Sequence, residues 1–389
     1  MLNLLNILVT MDFIEPVLYL GISQSFFAGM LIATRRPFTA ANRIMTAWVF
    51  LFCIEMIFAL INSTVLDMYS FPFISLTYGP LLFLYVRHMT LPTLRFSPWN
   101  ALHFVPFIIF FAISVILREE PIFDDLSGYF VIDRFIPLRI FYSVCFFLSV
   151  TGYSILSFIE IRRHQKRLRD VVSYTSAKIT LNWLKILSIT FYTGYVVVFI
   201  LGGINIIAGL LPFDPYILTF VFISIFSFAY SFYAIKQPEM LDYPVAVQED
   251  YNGNGNAGVE KYARSGLRDE QAEEYLTKLL HFMDEEKPYL DGDMTINDLS
   301  RKTGIPRYHI TEVLNEKYHR NFFSFVNEYR VREIISRISD PKYQHYTILA
   351  IAFDAGFNSK STFNTFFKSY TGKTPSAYRD EITKQSGTM

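Results

Sequence analysis

The sequence predicts an all-α protein in two parts: a polytopic seven-helix membrane bundle, then a soluble domain of two successive helix-turn-helix units. Three observations predict it. Seven long apolar runs follow one another before residue 240. Basic charge alternates between the connections that join them. After residue 294, short amphipathic stretches at helical spacing are broken by glycine turns at Gly304 and Gly356.

Composition excludes a wholly soluble chain. Of 389 residues 52% are hydrophobic, with 39 Phe and 25 Tyr, far above a soluble average. The formal net charge of zero conceals a partition. Residues 295–379 hold 13 Lys and Arg against 7 Asp and Glu, whereas residues 246–294 hold 5 against 12. An acidic connector therefore precedes a basic segment able to meet phosphates. Cys53 and Cys145 both lie in apolar runs, without zinc or disulfide spacing, and read as small buried hydrophobes. Asp12 and Glu15 stand where a leader would carry basic residues, so no cleavable signal peptide is expected.

The apolar runs are 13–33, 42–62, 71–91, 101–117, 138–159, 186–210 and 215–235. A helix needs about 20 apolar residues to cross a bilayer core of about 30 Å. The third run is interrupted by Ser75, Thr77, Tyr78, Gly79 and Pro80. Odd connections are basic: Arg35, Arg36 and Arg43; then Arg87 and Arg95; then Arg162, Arg163, Lys166, Arg167, Arg169 and Lys178. Even connections are not: 63–70 and 209–214 lack Lys and Arg, and 118–134 sets two Arg against five acids. Basic connections face the cytoplasm. The expected topology thus has the N-terminus outside and everything after Lys236 in the cytoplasm, with the third basic run against anionic lipid. Residues 1–240 form this first domain.

Glu55 is the only acid deep in an apolar run. Such a group is costly in lipid, so it either senses a ligand or ion or hydrogen-bonds a neighbouring helix. His88 and His103 lie near the ends of adjacent runs but lack a metal-ligand spacing. No metalloprotease, nucleotide-binding or nucleophile-elbow motif occurs, so no catalytic residue, metal or cofactor is expected, and the chain does not read as an enzyme.

Residues 241–293 read as a connector. NGNGNAG is a flexible tether that transmits twist poorly. Beyond it, Ala272, Leu276, Leu279, Leu280 and Met283 make a helical apolar stripe, with Asp269 as N-cap and Pro288 as its stop. The stripe packs on the following domain or, through Leu276 and Leu279, on a second copy of the chain.

Residues 294–380 carry the paired motif, and 381–389 a short tail. Thr295 or Asn297 caps a short helix, Gly304 makes the turn, and Pro306 opens a second helix with Ile310, Val313 and Leu314 inward. Arg307, Tyr308, Thr311 and Glu312 are expected on its outward face. A linking helix turns Phe322, Phe325, Val326, Tyr329, Ile334 and Ile338 inward. The second unit runs through Ala355, Gly356 and Phe357 to Ser359, which caps a helix with Phe363, Phe366, Phe367 and Tyr370 expected inward. Lys360, Ser361, Asn364 and Thr365 are expected outward.

The segments TINDLSRKTGIPRYHITEVLNE and ILAIAFDAGFNSKSTFNTFFKSYTGKTPSAYR resemble the two reading units of the AraC/XylS regulators, continuously over residues 294–379. YGPLLFLYV, LHFVPF and KYARSGL are similar to membrane-embedded members from Bacteroidota. The resemblance implies double-stranded DNA as partner, with the eight outward residues facing bases and Lys317 and Lys368 meeting phosphates. It implies a bacterial inner-membrane regulator whose bundle senses a ligand or a membrane protein, with lipid and a second copy of the chain as further partners. Ile334 departs from the family's Ala, and Glu312 and Thr365 from its frequent Arg. The competing reading is a transporter or membrane enzyme with a regulatory tail that binds DNA or protein. Against it, the runs show no inverted repeat.

Overall fold

The computed structural model describes residues 2–36, 38–64, 73–91, 94, 96–117, 136–174, 177–208, 217–236 and 267–386. The connections 65–72, 118–135 and 209–216 and most of the connector, including NGNGNAG, lie outside the described residues. The chain divides into two compact units, residues 1–162 with 182–241, and residues 163–181 with 242–389. All regular elements among the described residues are helical.

The first unit holds α1 (Leu2–Thr34), α2 (Ala40–Thr64), α3 (Tyr78–Thr90), α4 (Val105–Leu117), most of α5 (Ile136–Val171), α7 (Asn182–Ala208) and α8 (Ile217–Lys236). Each expected apolar run overlaps one of them. Four are long and apolar enough to cross a membrane: Ile14–Thr34, Ala40–Ile61, Ile136–Val171 and Asn182–Asn205. Pro98–Ile113 and Ile217–Tyr233 are shorter, and α3 has 13 residues. Among the described residues, length and composition thus support four candidate crossings directly rather than seven. The interrupted third run resolves simply. A 3-10 turn, Ile74–Thr77, leads into α3, and Pro80 falls in the first helical turn, where its missing N–H costs nothing.

Many large apolar side chains lie exposed on this unit, while Ser25, Ser157, Ser188 and Ser227 are buried within it. Leu20, Ile116, Leu148 and Ile225 are each at least 65% exposed, as lipid-facing side chains would be. Trp48 is fully buried beside the rings of Phe52, Tyr78, Phe191, Phe226 and Tyr230. α1 packs along α2 and α8 through small residues. A Cβ on Gly21 would lie 2.3 Å from Met56 Sδ. Ser25 and Ser227 hydroxyls are 3.0 Å apart, and Gln24 Nε2 donates to Ser224 O at 3.1 Å. Small residues and interhelical hydrogen bonds hold helices together where no hydrophobic drive exists.

The second unit opens with the last turns of α5. The basic run after residue 161, expected as a connecting loop, is helical to Val171. α6 (Ala177–Thr180) follows, and the hairpin is braced by His164 Nε2 at 2.8 Å from Ile179 O and by Gln165 Nε2 donating to Thr180 O. After the connector come α9 (Asp269–Glu286), α10 (Ile296–Thr303), α11 (Arg307–Glu316), α12 (Phe322–Ser339), α13 (Ile348–Asp354), α14 (Lys360–Thr371) and α15 (Pro375–Ser386). Arg268, not Asp269, occupies the N-cap of α9; Asp269 lies in the first turn, where its charge suits the helix dipole. The stripe of α9 is used inside the unit. Ala272, Leu279 and Met283 are buried and the helix packs on α11. Leu279 is fully buried, so it does not offer a surface to a second copy.

Candidate nucleic-acid interface

Thr295 caps α10 through a complete capping box. Its hydroxyl accepts from Asp298 N, while Asp298 Oδ2 accepts from Thr295 N at 3.0 Å. Gly304 ends the helix at φ 71, and Ser300 Oγ donates to Ile305 O across the turn at 2.7 Å. Pro306 is the N-cap of α11, one residue earlier than expected. Ile310, Val313 and Leu314 go inward as anticipated and join Leu299, Phe325 and Val326 among the buried residues.

The second unit is built alike. Thr347 and Ser359 cap α13 and α14 by accepting from Ala350 N and Thr362 N. Its core comprises Val331, Ile334, Ile338, Ile351, Ala352, Ala355, Phe357, Phe363 and Phe367. Ile334 fills space there, so its extra bulk relative to Ala is accommodated. Tyr370, expected inward, is 41% exposed and accepts from Arg332 Nε at 3.1 Å. Its hydroxyl needs a polar partner, and the surface supplies one.

Of the eight residues expected outward, Lys360, Ser361, Asn364 and Thr365 are all exposed on α14. Ser361 Oγ lies 2.9 Å from the capping Ser359 Oγ. On α11, Tyr308 is 57% exposed and Arg307 and Thr311 half-buried. Glu312 requires correction. It is buried, with Oε2 3.5 Å from His309 Nδ1, because it follows Tyr308 by one helical turn but leans to the side that packs in the domain. Lys368 is exposed. Lys317 is half-buried and bridges to Asp269 at 3.0 Å and Glu273 at 3.3 Å on α9, which raises its pKa. That charge is already engaged by carboxylates.

Sequence reasoning missed Arg330. It is 1% exposed at the centre of α12. Nε donates to Tyr289 O at 2.8 Å, Nη1 to Ser173 O at 2.9 Å and to Asn327 Oδ1 at 3.2 Å, and Nη2 to Asp291 O at 2.7 Å and Ser173 Oγ at 3.1 Å. Its guanidinium also lies 5.8 Å from the centroid of Phe357, in the turn of the second unit. Burial pulls its pKa down to about 10, with Asp291 and Asp293 opposing, so it stays charged at neutral pH. The signal was present: 322, 326, 330, 334 and 338 are a single i+4 register of inward positions, with an arginine in the middle.

In the first unit, Glu55 on α2 accepts from the hydroxyl of Tyr78 at the start of α3, the neighbouring-helix bond that was one of its two expected roles. His88 Nδ1 lies 2.9 Å from Leu84 O and His103 Nδ1 2.9 Å from Tyr153 Oη. Among the described residues no group of three or more His, Cys, Asp or Glu could hold a metal.

Two helix-turn-helix units thus stand on one linking helix, in a chain that also carries four apolar helices long enough to be candidate membrane spans. The comparisons agree for the C-terminal part. A helix-turn-helix domain family matches residues 299–381. Over 91 residues, 23% of the chain, the sequence is 25% identical to the Msm operon regulatory protein of Streptococcus mutans serotype c, and the match spans 32% of that relative. No solved structure matches.

Proposed function

We propose that this chain is a one-component transcription regulator of a bacterial inner membrane, with the N-terminus outside and the C-terminal unit in the cytoplasm. The observation that carries the reading is the conjunction, in one chain, of paired helix-turn-helix units and helices apolar and long enough to cross a membrane. The alternating charge of the connections supports the orientation. α11 and α14 act as the recognition helices. Arg307, Tyr308 and Thr311 on the first, and Lys360, Ser361, Asn364 and Thr365 on the second, reach base edges of double-stranded DNA. Lys368 meets a phosphate; Lys317 is assigned to α9 instead. The apolar unit contacts lipid and senses a ligand or membrane protein, with Glu55 as the sensing carboxylate at the α2–α3 contact. A second copy of the chain is the expected partner on DNA.

A genome-wide map of the tagged full-length protein tests the central claim. Discrete peaks, with binding to the recovered duplexes that falls steeply as salt rises, are expected. Diffuse occupancy without salt dependence would overturn it. Glu55→Gln should retain DNA binding and lose the response to the inducing signal.

A further inference from the structure

The short segment after α5 has a place in the DNA-binding unit that no regulator needs for DNA contact alone. Val172 pairs with Thr295 in an isolated antiparallel bridge at the start of the first helix-turn-helix. Ser173 N donates to Met294 O at 3.2 Å and Ser173 Oγ to the same oxygen at 2.7 Å. Ser173 O accepts from Asn327 Nδ2 at 3.0 Å and from Arg330 Nη1 at 2.9 Å. Val172, Ser173, Asn327 and Arg330 are all at most 1% exposed.

The segment lands on the joint between the two reading units. Arg330 holds the loop 289–292 by three carbonyls and faces Phe357 of the second turn. From the other side Asn358 Nδ2 donates to Gly292 O at 3.1 Å and to Asp293 Oδ1 at 2.7 Å. Ser173 therefore completes the acceptor set of the buried Arg330, which ties α12, the loop before the first unit and the turn of the second. The chain enters the segment from α5, whose residues 136–162 belong to the apolar unit, and returns to that unit at residue 182.

Resting on the regulator reading above, we propose that residues 171–174 form a docking strap through which the apolar unit sets the spacing of the two recognition helices. With the strap seated, the joint is rigid and both units fit one DNA site. When α5 withdraws it, Arg330 loses two acceptors and the loop 289–292 loosens, so binding that needs both units weakens. Control then runs through the basic end of α5 and does not depend on the connector that follows residue 241.

The test uses full-length protein in lipid nanodiscs with Cys53 and Cys145 replaced by Ala, and a duplex enriched from random sequence by the unaltered protein. Directly paired residues of an antiparallel bridge stand close enough for a disulfide, so Val172→Cys with Thr295→Cys should crosslink on oxidation, and the locked protein should bind as well as the same protein reduced. Ser173→Phe, too large for its buried site, should abolish that crosslink, raise hydrogen exchange in 289–293 and 322–330, and weaken duplex binding about tenfold or more. Ser173→Ala, which folds more safely, should move in the same direction by less. Failure to crosslink in protein that binds the duplex, or Ser173 variants with unchanged exchange and affinity, would overturn the strap. If the unaltered protein enriches no duplex, the DNA reading fails, and crosslinking with the exchange shift still supports docking.

Discussion

Gly356→Ala is expected to destabilise the second helix-turn-helix far more than Gly304→Ala destabilises the first, although both glycines end a helix turn at positive φ. Gly356 sits at φ 95, and left-handed backbone costs an L-residue about 1–2 kcal/mol. An added Cβ would also lie 2.4 Å from Tyr289 O, 2.9 Å from Arg330 Nε and 3.0 Å from Leu290 O. Two of these are backbone atoms, and Tyr289 O is itself held by Arg330 at 2.8 Å, so none can swing aside. Forcing atoms into a closed space costs about 1–3 kcal/mol. The sum is about 3 kcal/mol. At Gly304, φ is 71 and nothing lies within 4 Å of the added Cβ, which leaves only the backbone cost of about 1 kcal/mol. The difference of about 2 kcal/mol is roughly a 30-fold change in an opening equilibrium. Hydrogen exchange on the full-length protein measures it, reading amides of α13 and α14 for Gly356→Ala and of α10 and α11 for Gly304→Ala. Equal effects would refute the close approach of residue 356 to the loop at 289–290.

Three further outcomes are expected. Thr295→Ala should cost the first unit about 1 kcal/mol through its lost cap, and Thr295→Ser should restore most of it, both read from exchange in α10. Burial raises the pKa of Glu333, but bonds from Arg337 at 2.8 Å and Lys287 at 3.2 Å outweigh this and leave it below the usual carboxylate range. A depressed folded pKa contributes stability that is present above the unfolded value and lost as pH falls through the folded one. The stability gap between wild type and Glu333→Gln should therefore be constant at neutral pH and close below about pH 4.5; a gap that widens on acidification would reverse the sign. On DNA, Lys360→Ala or Asn364→Ala should change the ranking of sequences, losing about 1–3 kcal/mol per base contact. Lys368→Ala should weaken all duplexes alike and reduce the salt slope by about one, whereas Lys317→Ala should leave DNA affinity nearly unchanged. Competition titrations on cognate and scrambled duplexes separate these cases.

Local chemistry was legible in the residues because its partners are near in sequence. The Thr295 cap, the Gly304 turn, the Ser359 cap and the inward stripe of α12 each depend on residues within a few positions. So did the apolar runs, whose helical content needs only composition and length. Errors arose where partners are distant or faces narrow. Glu312 and Tyr370 each sit at the edge of a helix face, and periodicity does not decide which side of an edge is covered. Lys317 read as a phosphate contact until α9, more than 40 residues earlier, supplied two carboxylates.

The sequence by itself determined the all-helical class, the division into apolar and basic parts, and the positions of both helix-turn-helix units, since hydrophobic period and turn chemistry are local. Only the tertiary structure decided what α9 packs on, that the basic run continues α5 as helix, and which groups surround the buried Arg330. Arg330 bonds Ser173 across 157 positions and Tyr289 across 41. A charge is tolerated in a core only when folding brings enough acceptors around it. No pattern along the chain could announce that the acceptors come from a segment which, read alone, was a basic connection between two apolar helices, lying against anionic lipid.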